Sequence, residues 1–319
     1  MLRSFTFVAA MLVAASAAAQ SYPAKPIRIF VTIGPGAAAD VLTRMVGEKL
    51  APRLGQPIVI ENRAGAGGNI AADAVAKSAP DGYTLLMASS STHGANASVY
   101  PKLPFDPIKD FTPIVLVASN PNVLVVPPSL GVSTLEELLA LARQKPGELT
   151  YASGGTGTSM HISGEVLAML GHVKLQHIPF KSTPEAINAA LAGEVSMTFA
   201  SAPTAMSQVK AGKLKALGVT TERPISSLPD VPPLAAQGLP GFDVYAWFGL
   251  AAPAGTAEPI IHRLNHETLA VLAMPEVREK FSSLGMEALG STPAEFGTFI
   301  RSEIKRLGEV VRASGASNR

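Results

Sequence analysis

The 319-residue chain contains no cysteine and few charged residues. Without cysteine it can form no disulfide bonds, thiolate metal sites or cysteine nucleophiles. Charged residues make up only 16% of the chain, and the formal net charge is +2. So small a net charge argues against nucleic acid or a membrane surface as the partner.

Motifs of nucleotide-dependent and hydrolytic enzymes are also missing. The segment 153–159, SGGTGTS, lacks the Gly-Lys-Ser/Thr that completes a phosphate-binding loop. No G-x-S-x-G nucleophile elbow occurs. Ser159 and His161 lie two residues apart, but no acid is placed to orient the histidine, which disfavours a hydrolase. No histidine pair combines with an acid at metal-ligand spacing. We therefore predict no enzymatic activity, no catalytic residues, no metal and no cofactor.

Residues 1–19 have the three parts of a secretory signal. Arg3 supplies the positive start, 5–15 is apolar, and 17–19 provides the small residues of a cleavage site. The apolar run is too short to span a bilayer. We therefore predict a cleaved signal peptide and a soluble protein in a bacterial periplasm. Loss of Arg3 lowers the formal charge to +1.

The remaining chain is long enough for two domains with separate cores. Strands and helices alternate along it, which predicts an α/β fold with parallel sheets covered on both faces. Irregular, proline-containing segments separate two such sets. We predict two lobes with a ligand cleft between them. Lobe 1 comprises residues 22–122 and 247–319, and lobe 2 comprises 123–246.

Local signals predict how some elements begin and end. The polar run 119–122, SNPN, separates two short apolar stretches and is expected to be an irregular crossing between the lobes. Ser133 with Glu136 and Thr292 with Glu295 have the spacing of capping boxes at helix starts. Thr183, which precedes a proline, is expected to be another N-cap.

The segment 27–40, IRIFVTIGPGAAAD, is the most informative pointer to a binding site. A strand rich in β-branched residues leads into a glycine turn and a helix N-terminus, whose N–H groups attract anions. Ligands of open α/β sheets bind beyond the carboxyl ends of the strands. The corresponding loops are 34–39, 62–68, 89–96, 153–159, 180–183 and 200–204. They are polar but nearly uncharged, which suits a carboxylate held by dipoles and hydroxyls.

Three side chains have two interpretations each. His161 either faces the cleft or packs between layers, and packing is favoured because no partner carboxylate is evident. Lys181 either points into the cleft or is solvated at a strand end. Trp247, the single tryptophan, either walls the cleft or fills a core.

Short motifs along the chain, taken in order, carry a family resemblance. They are YPAKPI at 22–27, GPG at 34–36, ENRAGAGG at 61–68, DGYTLL at 81–86, PFK at 179–181, PDVP at 229–232 and APAGT at 252–256. With this order and spacing, the chain resembles the Bug-type periplasmic solute-binding proteins of tripartite tricarboxylate transporters. The resemblance covers nearly all of the chain after the signal.

This resemblance implies a two-lobed periplasmic-binding-protein fold, type II-like, with two hinge crossings. It also implies a monomer that closes on a small carboxylate and delivers it to membrane transporter subunits. The implied ligand contacts, mostly through backbone groups and ordered water, are Gly34, Pro35, Gly36, Ala37, Ala38, Gly155, Thr156 and Thr158. The further candidates are Ser89, Ser90, Ser91, His161, Lys181 and Ser201.

The sequence leaves the ligand and the final role open. Ala37 and Ser182 stand where glycine is usual in the family, and Phe180 stands where tyrosine is usual. Dicarboxylates, tricarboxylates, aromatic acids and acidic amino acids all carry the group that the cleft is expected to bind. Besides transport, the alternative is a periplasmic sensory protein that presents its ligand-bound lobes to a sensor kinase.

Overall fold

A computed structural model describes residues 22–225 and 228–316, and the predicted signal segment 1–19 lies outside them. The helices are α1 (Ala38–Leu54), α2 (Asn69–Ala76), α3 (Asn96–Val99), α4 (Leu135–Gln144), α5 (Ser159–Gly171), α6 (Thr183–Ala192), α7 (Ala202–Lys210), α8 (Glu258–Leu272), α9 (Pro275–Ser283) and α10 (Pro293–Ser314). The strands are β1 (Ile27–Val31), β2 (Ile58–Asn62), β3 (Thr84–Ser89), β4 (Phe111–Val126), β5 (Thr150–Ser153), β6 (Gln176–Pro179), β7 (Met197–Ser201), β8 (Lys215–Val219), β9 (Tyr245–Pro253) and β10 (Glu287–Ala288). None of these helices is long and apolar enough to cross a membrane.

The strands form two sheets that share β4. In lobe 1 the order is β2-β1-β3-β9-β4, and β10 also pairs with β4. In lobe 2 the order is β4-β7-β5-β6, and β8 also pairs with β4. The outer strands are parallel, as predicted, but β9 is antiparallel to β3 and β4, and β7 and β8 are antiparallel to β4. The prediction of parallel sheets is therefore wrong for the strands between the lobes.

The long strand β4 carries the chain from one lobe to the other. Its pairing with β9 extends to Pro121, and its pairing with β7 begins at Asn122. The predicted irregular break at 119–122 is therefore wrong, because these residues are held in one continuous strand by partners distant in sequence. The chain returns through Val244, whose N–H donates to the carbonyl of Thr220, and enters β9. The lobe limits at residues 122 and 246 stay a prediction.

The C-terminal helix α10 packs behind both lobes. Near its start, Phe296 and Ile300 lie against Trp247, which is fully buried. Near its end, Leu307 and Val311 join the apolar core of lobe 2. The helix therefore spans the side of the hinge away from the cleft.

Trp247 belongs to this packing and not to the cleft wall. Its ring is buried edge-on against Phe296, with centroids 5.8 Å apart. Its Nε1–H donates to the Glu303 carboxylate at 2.9 Å, and Arg306 bonds the same carboxylate. Of the two interpretations from the sequence, core filling is the one that the structure shows.

Two predicted helix starts shift by one residue. α4 begins after Thr134, whose hydroxyl accepts from the Glu137 N–H at 3.1 Å, so the box expected at Ser133 is wrong. α6 is capped by Ser182 rather than Thr183, because the Ser182 hydroxyl accepts from the N–H three residues on. The predicted box of Thr292 and Glu295 is confirmed.

Candidate ligand-binding site

A cleft of about 440 Å³ lies between the lobes. Lobe 1 lines it with Thr32, Ile33, 37–39, 65–68, 89–91 and Tyr100. Lobe 2 lines it with 154–156, 158–160, 179–181, Thr183 and Glu185. Asn120 and Asn122 of β4 and Ala246 and Phe248 of β9 form its floor. The cleft therefore lies at the carboxyl ends of strands from both sheets, as open α/β folds favour.

The structure brings most of the predicted site residues to this cleft. Those that line it are Ala37, Ala38, Ser89, Ser90, Ser91, Gly155, Thr156, Thr158 and Lys181. Gly34, Pro35 and Gly36 are not among the lining residues, although Ile33 and Ala37 on either side of them are, and His161 is buried and does not line the cleft either. Ser201 ends β7, but its side chain lies outside the described part of the structure. Which of these residues contact a ligand stays a prediction.

The N-terminus of α1 opens on the cleft without a side-chain cap. Its N-cap is Ala37, which has no hydrogen-bonding side chain. The first-turn N–H groups of a helix have no carbonyl partner within the helix. Because Ala38 and Ala39 line the cleft, their N–H groups and the positive end of the helix dipole are placed to receive an anion.

The protein's own carboxylate occupies part of this helix start. Asp40 accepts from the Gly36 N–H at 3.0 Å and from Arg44 Nε at 2.9 Å. Burial by itself would raise the pKa of Asp40, but hydrogen bonds from Arg44, Gly36 and Asn62 outweigh it and hold the pKa below its usual value. The Gly36 N–H is therefore already used, and the donors left for a ligand lie further along, at residues 38 and 39.

Lobe 2 contributes the loop 154–158 and the start of α5. The Thr158 hydroxyl donates to the Gly155 carbonyl at 2.6 Å and accepts from the His161 N–H at 3.4 Å. Gly155 adopts a φ of +127°, which favours glycine. The Thr158 side chain thus holds the loop in shape, while the Gly155 and Thr156 backbone lines the cleft.

His161 supports this loop from below. It is 4% exposed, and its ring stacks on His177 with centroids 4.2 Å apart. Its Nδ1 accepts from the Gly157 N–H at 3.2 Å, while the His177 Nε2 lies 2.6 Å from the Ser153 hydroxyl. Burial lowers the pKa of His161 to about 4, so the ring is neutral at pH 7. The packing interpretation of His161 is the one that this geometry supports.

Sequence reasoning missed the floor of the cleft. Asn122 is satisfied there: its Nδ2 donates to Ser163 Oγ at 3.2 Å, and its Oδ1 accepts from Ser159 Oγ at 3.4 Å. Asn120, two residues earlier, lies on the same face of β4. Two asparagines spaced by two within a mostly apolar strand are the signal that could have revealed this floor.

The lobes touch at both edges of the cleft. At one edge, Tyr100 donates to the Thr156 carbonyl at 3.4 Å, and Gly67 lies so near that carbonyl that a Cβ would clash with it. At the other edge, a Cβ on Gly34 would lie 3.2 Å from the Cβ of Ser182. The structure is therefore a closed arrangement of the two lobes.

Charge is confined to the mouth of the cleft. Among the lining residues that the structure describes, Lys181 and Glu185 are the ones that carry a charge at neutral pH, and both are exposed. Both interpretations of Lys181 therefore apply, since it is solvated and still borders the cleft. The described interior of the cleft therefore offers N–H groups and hydroxyls, while Lys181 lies at its mouth.

These features define a two-lobed solute-binding protein, and comparison with known proteins gives its family. The family model described as tripartite tricarboxylate transporter family receptor, TctC, matches residues 42–316. The chain therefore belongs to this receptor family. Protein BugT of Bordetella pertussis is 37% identical to it, over 97% of this chain and 95% of BugT.

Two solved structures have the same fold. Rpa4515 of Rhodopseudomonas palustris, solved with adipate, has a TM-score of 0.90 and 32% identity, covering 92% of this chain and 99% of that one. MatC from the same species, solved with bound malate, has a TM-score of 0.87 and 34% identity, covering 91% and 100%. The predicted fold and family are confirmed. Because the family and these relatives are solute-binding proteins, the prediction that the chain is not an enzyme is confirmed as well.

Proposed function

We propose that this chain is a periplasmic receptor that captures a small organic carboxylate between its lobes. It acts as a monomer, after cleavage of residues 1–19, and delivers the acid to the membrane subunits of a tripartite tricarboxylate transporter. The observation that carries the proposal is the uncapped N-terminus of α1, which opens on a cleft whose described interior residues carry no charged side chain. The adipate and malate found with two relatives are both dicarboxylates, which fits this site.

The donors at the cleft are sufficient for useful affinity. They include the N–H groups of residues 38 and 39 and the hydroxyls of 89–91 and Thr156. A hydrogen bond to a charged group contributes ~1.5–3 kcal/mol. Roughly four to six such bonds, less the cost of immobilising the ligand, reach the ~8 kcal/mol of micromolar binding. Such a site binds tightly enough to capture a solute and weakly enough to release it.

A ligand screen tests capture. Dicarboxylates, tricarboxylates, aromatic acids and acidic amino acids are compared with their neutral amides by thermal shift, and hits are measured by calorimetry. At least one acid should raise the melting temperature, with a stabilisation that grows as RT ln(1 + c/Kd), where c is the concentration of the free acid, and its amide should not. Because no ion pair is expected, the Kd should change little with salt. A shift produced by neutral sugars and by no acid would overturn the proposal.

Delivery is tested separately. Vesicles that contain the transporter subunits should accumulate the labelled acid when this protein is added. In a separate measurement, the mass of the purified protein by light scattering should be that of one chain. Binding without uptake, combined with stimulation of a sensor kinase, would favour the sensory alternative.

A further inference from the structure

Asn120 lies at the floor of the cleft with no hydrogen-bond partner. It is fully buried on β4, opposite Ala246 of β9, and it lines the cleft. Neither its Oδ1 nor its Nδ2 has a partner in the structure. Asn122, on the same strand face, has two. This face of the strand therefore does not by itself prevent hydrogen bonding, and the lack of partners is specific to Asn120.

An unpaired buried carboxamide is costly, because it has lost its hydrogen bonds to water. Buried polar groups in folded proteins are almost always paired, and an exception calls for a specific explanation. Asn120 lines the cleft, so a bound ligand would lie beside this residue. Because neither amide atom is exposed in this structure, a contact with the ligand requires a small shift of the cleft floor.

The chemistry of the amide restricts which ligand group can make that contact. A carboxamide offers two N–H donors and a carbonyl acceptor side by side. A carboxylate only accepts, so it can bond the Asn120 Nδ2 but leaves Oδ1 without a donor. An ammonium only donates, so it can bond Oδ1 but leaves Nδ2 without an acceptor. A hydroxyl both donates and accepts, so it satisfies both atoms of Asn120. The neighbouring floor residues Ala246 and Phe248 offer no competing side-chain hydrogen bond.

We propose that Asn120 recognises a hydroxyl group on the ligand, and that the ligand is a hydroxy acid. Its carboxylate lies at the α1 N-terminus, and its hydroxyl lies on the Asn120 amide. The inference rests on the proposed function, which places a carboxylate in this cleft, and it makes Asn120 a residue that determines specificity.

Acid pairs that differ by one hydroxyl test the inference by calorimetry on the purified chain. The pairs are L-malate and succinate, citrate and tricarballylate, and 4-hydroxybenzoate and benzoate. In the pair that binds most tightly, the hydroxy acid should bind about tenfold or more tighter than its partner. In Asn120→Leu this preference should fall to within about twofold, while the hydroxyl-free acid keeps its affinity.

Asn265→Leu is the matched control. Asn265 is buried away from the cleft, and its Nδ2 donates to the Ile114 carbonyl at 2.7 Å. This control should lower the melting temperature and leave the hydroxyl preference unchanged. Asn120→Leu should not lower the melting temperature of the ligand-free protein, because it removes an amide that has no partner.

The outcomes separate the two proposals. If acids bind but the hydroxyl gives no advantage in the wild type, this inference fails and the proposed function stands. If a folded Asn120→Leu variant loses affinity equally for both acids of a pair, the inference about Asn120 is also overturned. If no acid binds at all, both proposals fail. Should Asn120→Leu not fold, the wild-type comparison still decides.

Discussion

Replacing Ala38 by proline tests whether the α1 N-terminus binds the ligand. Ala38 is the first residue of the helix, where proline is tolerated because its missing N–H breaks no helical hydrogen bond. Ala37 has φ −76° and ψ 162°, the extended conformation that the residue before a proline prefers. The substitution therefore removes one donor at the cleft and keeps the helix.

The expected effect follows from the donor that is lost. A hydrogen bond to a carboxylate contributes ~1.5–3 kcal/mol, so Kd should rise by about tenfold to 150-fold. The free energy of unfolding should fall by no more than about 1–3 kcal/mol, because proline is compatible with this backbone but its ring adds volume at a buried position. The Ala38→Pro variant should therefore lose affinity for the acid while it remains folded.

Calorimetry with the tightest acid from the screen gives Kd, and urea unfolding gives the stability. Ala38→Ser is the control, because it retains the N–H with a side chain of similar size and should keep Kd within about threefold. An unchanged Kd in a folded Ala38→Pro would refute the role of the helix N-terminus. Equal weakening in both variants would point to packing instead of the lost donor.

Two further predictions concern closure and acid stability. Gly67→Ala places a Cβ against the Thr156 carbonyl of the other lobe, so Kd should rise at least about tenfold and X-ray scattering with ligand should show a more open molecule. The control is Gly131→Ala, at a glycine with positive φ and nothing within 4 Å, which should lose about 1–2 kcal/mol of stability and bind normally. An equal Kd in both variants would contradict the closure contact. Burial lowers the pKa of His161 to about 4 and that of His177 to about 3, so only the unfolded chain takes up these protons as the pH falls below 6.5. The free energy of unfolding in urea should therefore fall by up to about 1.4 kcal/mol per pH unit per histidine between about pH 6.5 and 4. Glutamine at both positions should remove the share of these two histidines and leave that of His93, whose pKa burial lowers to about 3; an unchanged slope would contradict this.

The alternation of strands and helices could be predicted from hydrophobic patterning, but β4 could not. Asn120 and Pro121 are residues typical of turns, which suggested a break. In the folded chain they pair with Ala246 and Tyr245, more than a hundred residues away. Such pairing depends on the arrangement of the whole sheet, and no local signal carries it.

The candidate site was predictable where it lies on loops and not where it lies on strands. The loops at 37–38, 89–91 and 155–158 follow strands, and the rule for open α/β sheets directs attention to them. The floor was missed because Asn120 and Asn122 belong to the run 119–122, which was expected to be an irregular crossing and not a strand that borders the cleft. The one-residue shift to the Ser182 cap has a simpler cause, since adjacent Ser and Thr are nearly equivalent as N-caps.

The pairing of Asp40 with Arg44 explains how an anion site can tolerate a carboxylate in its own helix. An ionised Asp40 alone would repel a bound acid from the start of α1. Arg44 lies 2.8 Å from it and offsets its charge, so the helix dipole is left for the ligand. Under the proposed function, a carboxylate bound in the closed cleft would exchange its water for these oriented N–H groups. When the lobes open, water would again hydrate the carboxylate, and the acid would leave without breaking an ion pair.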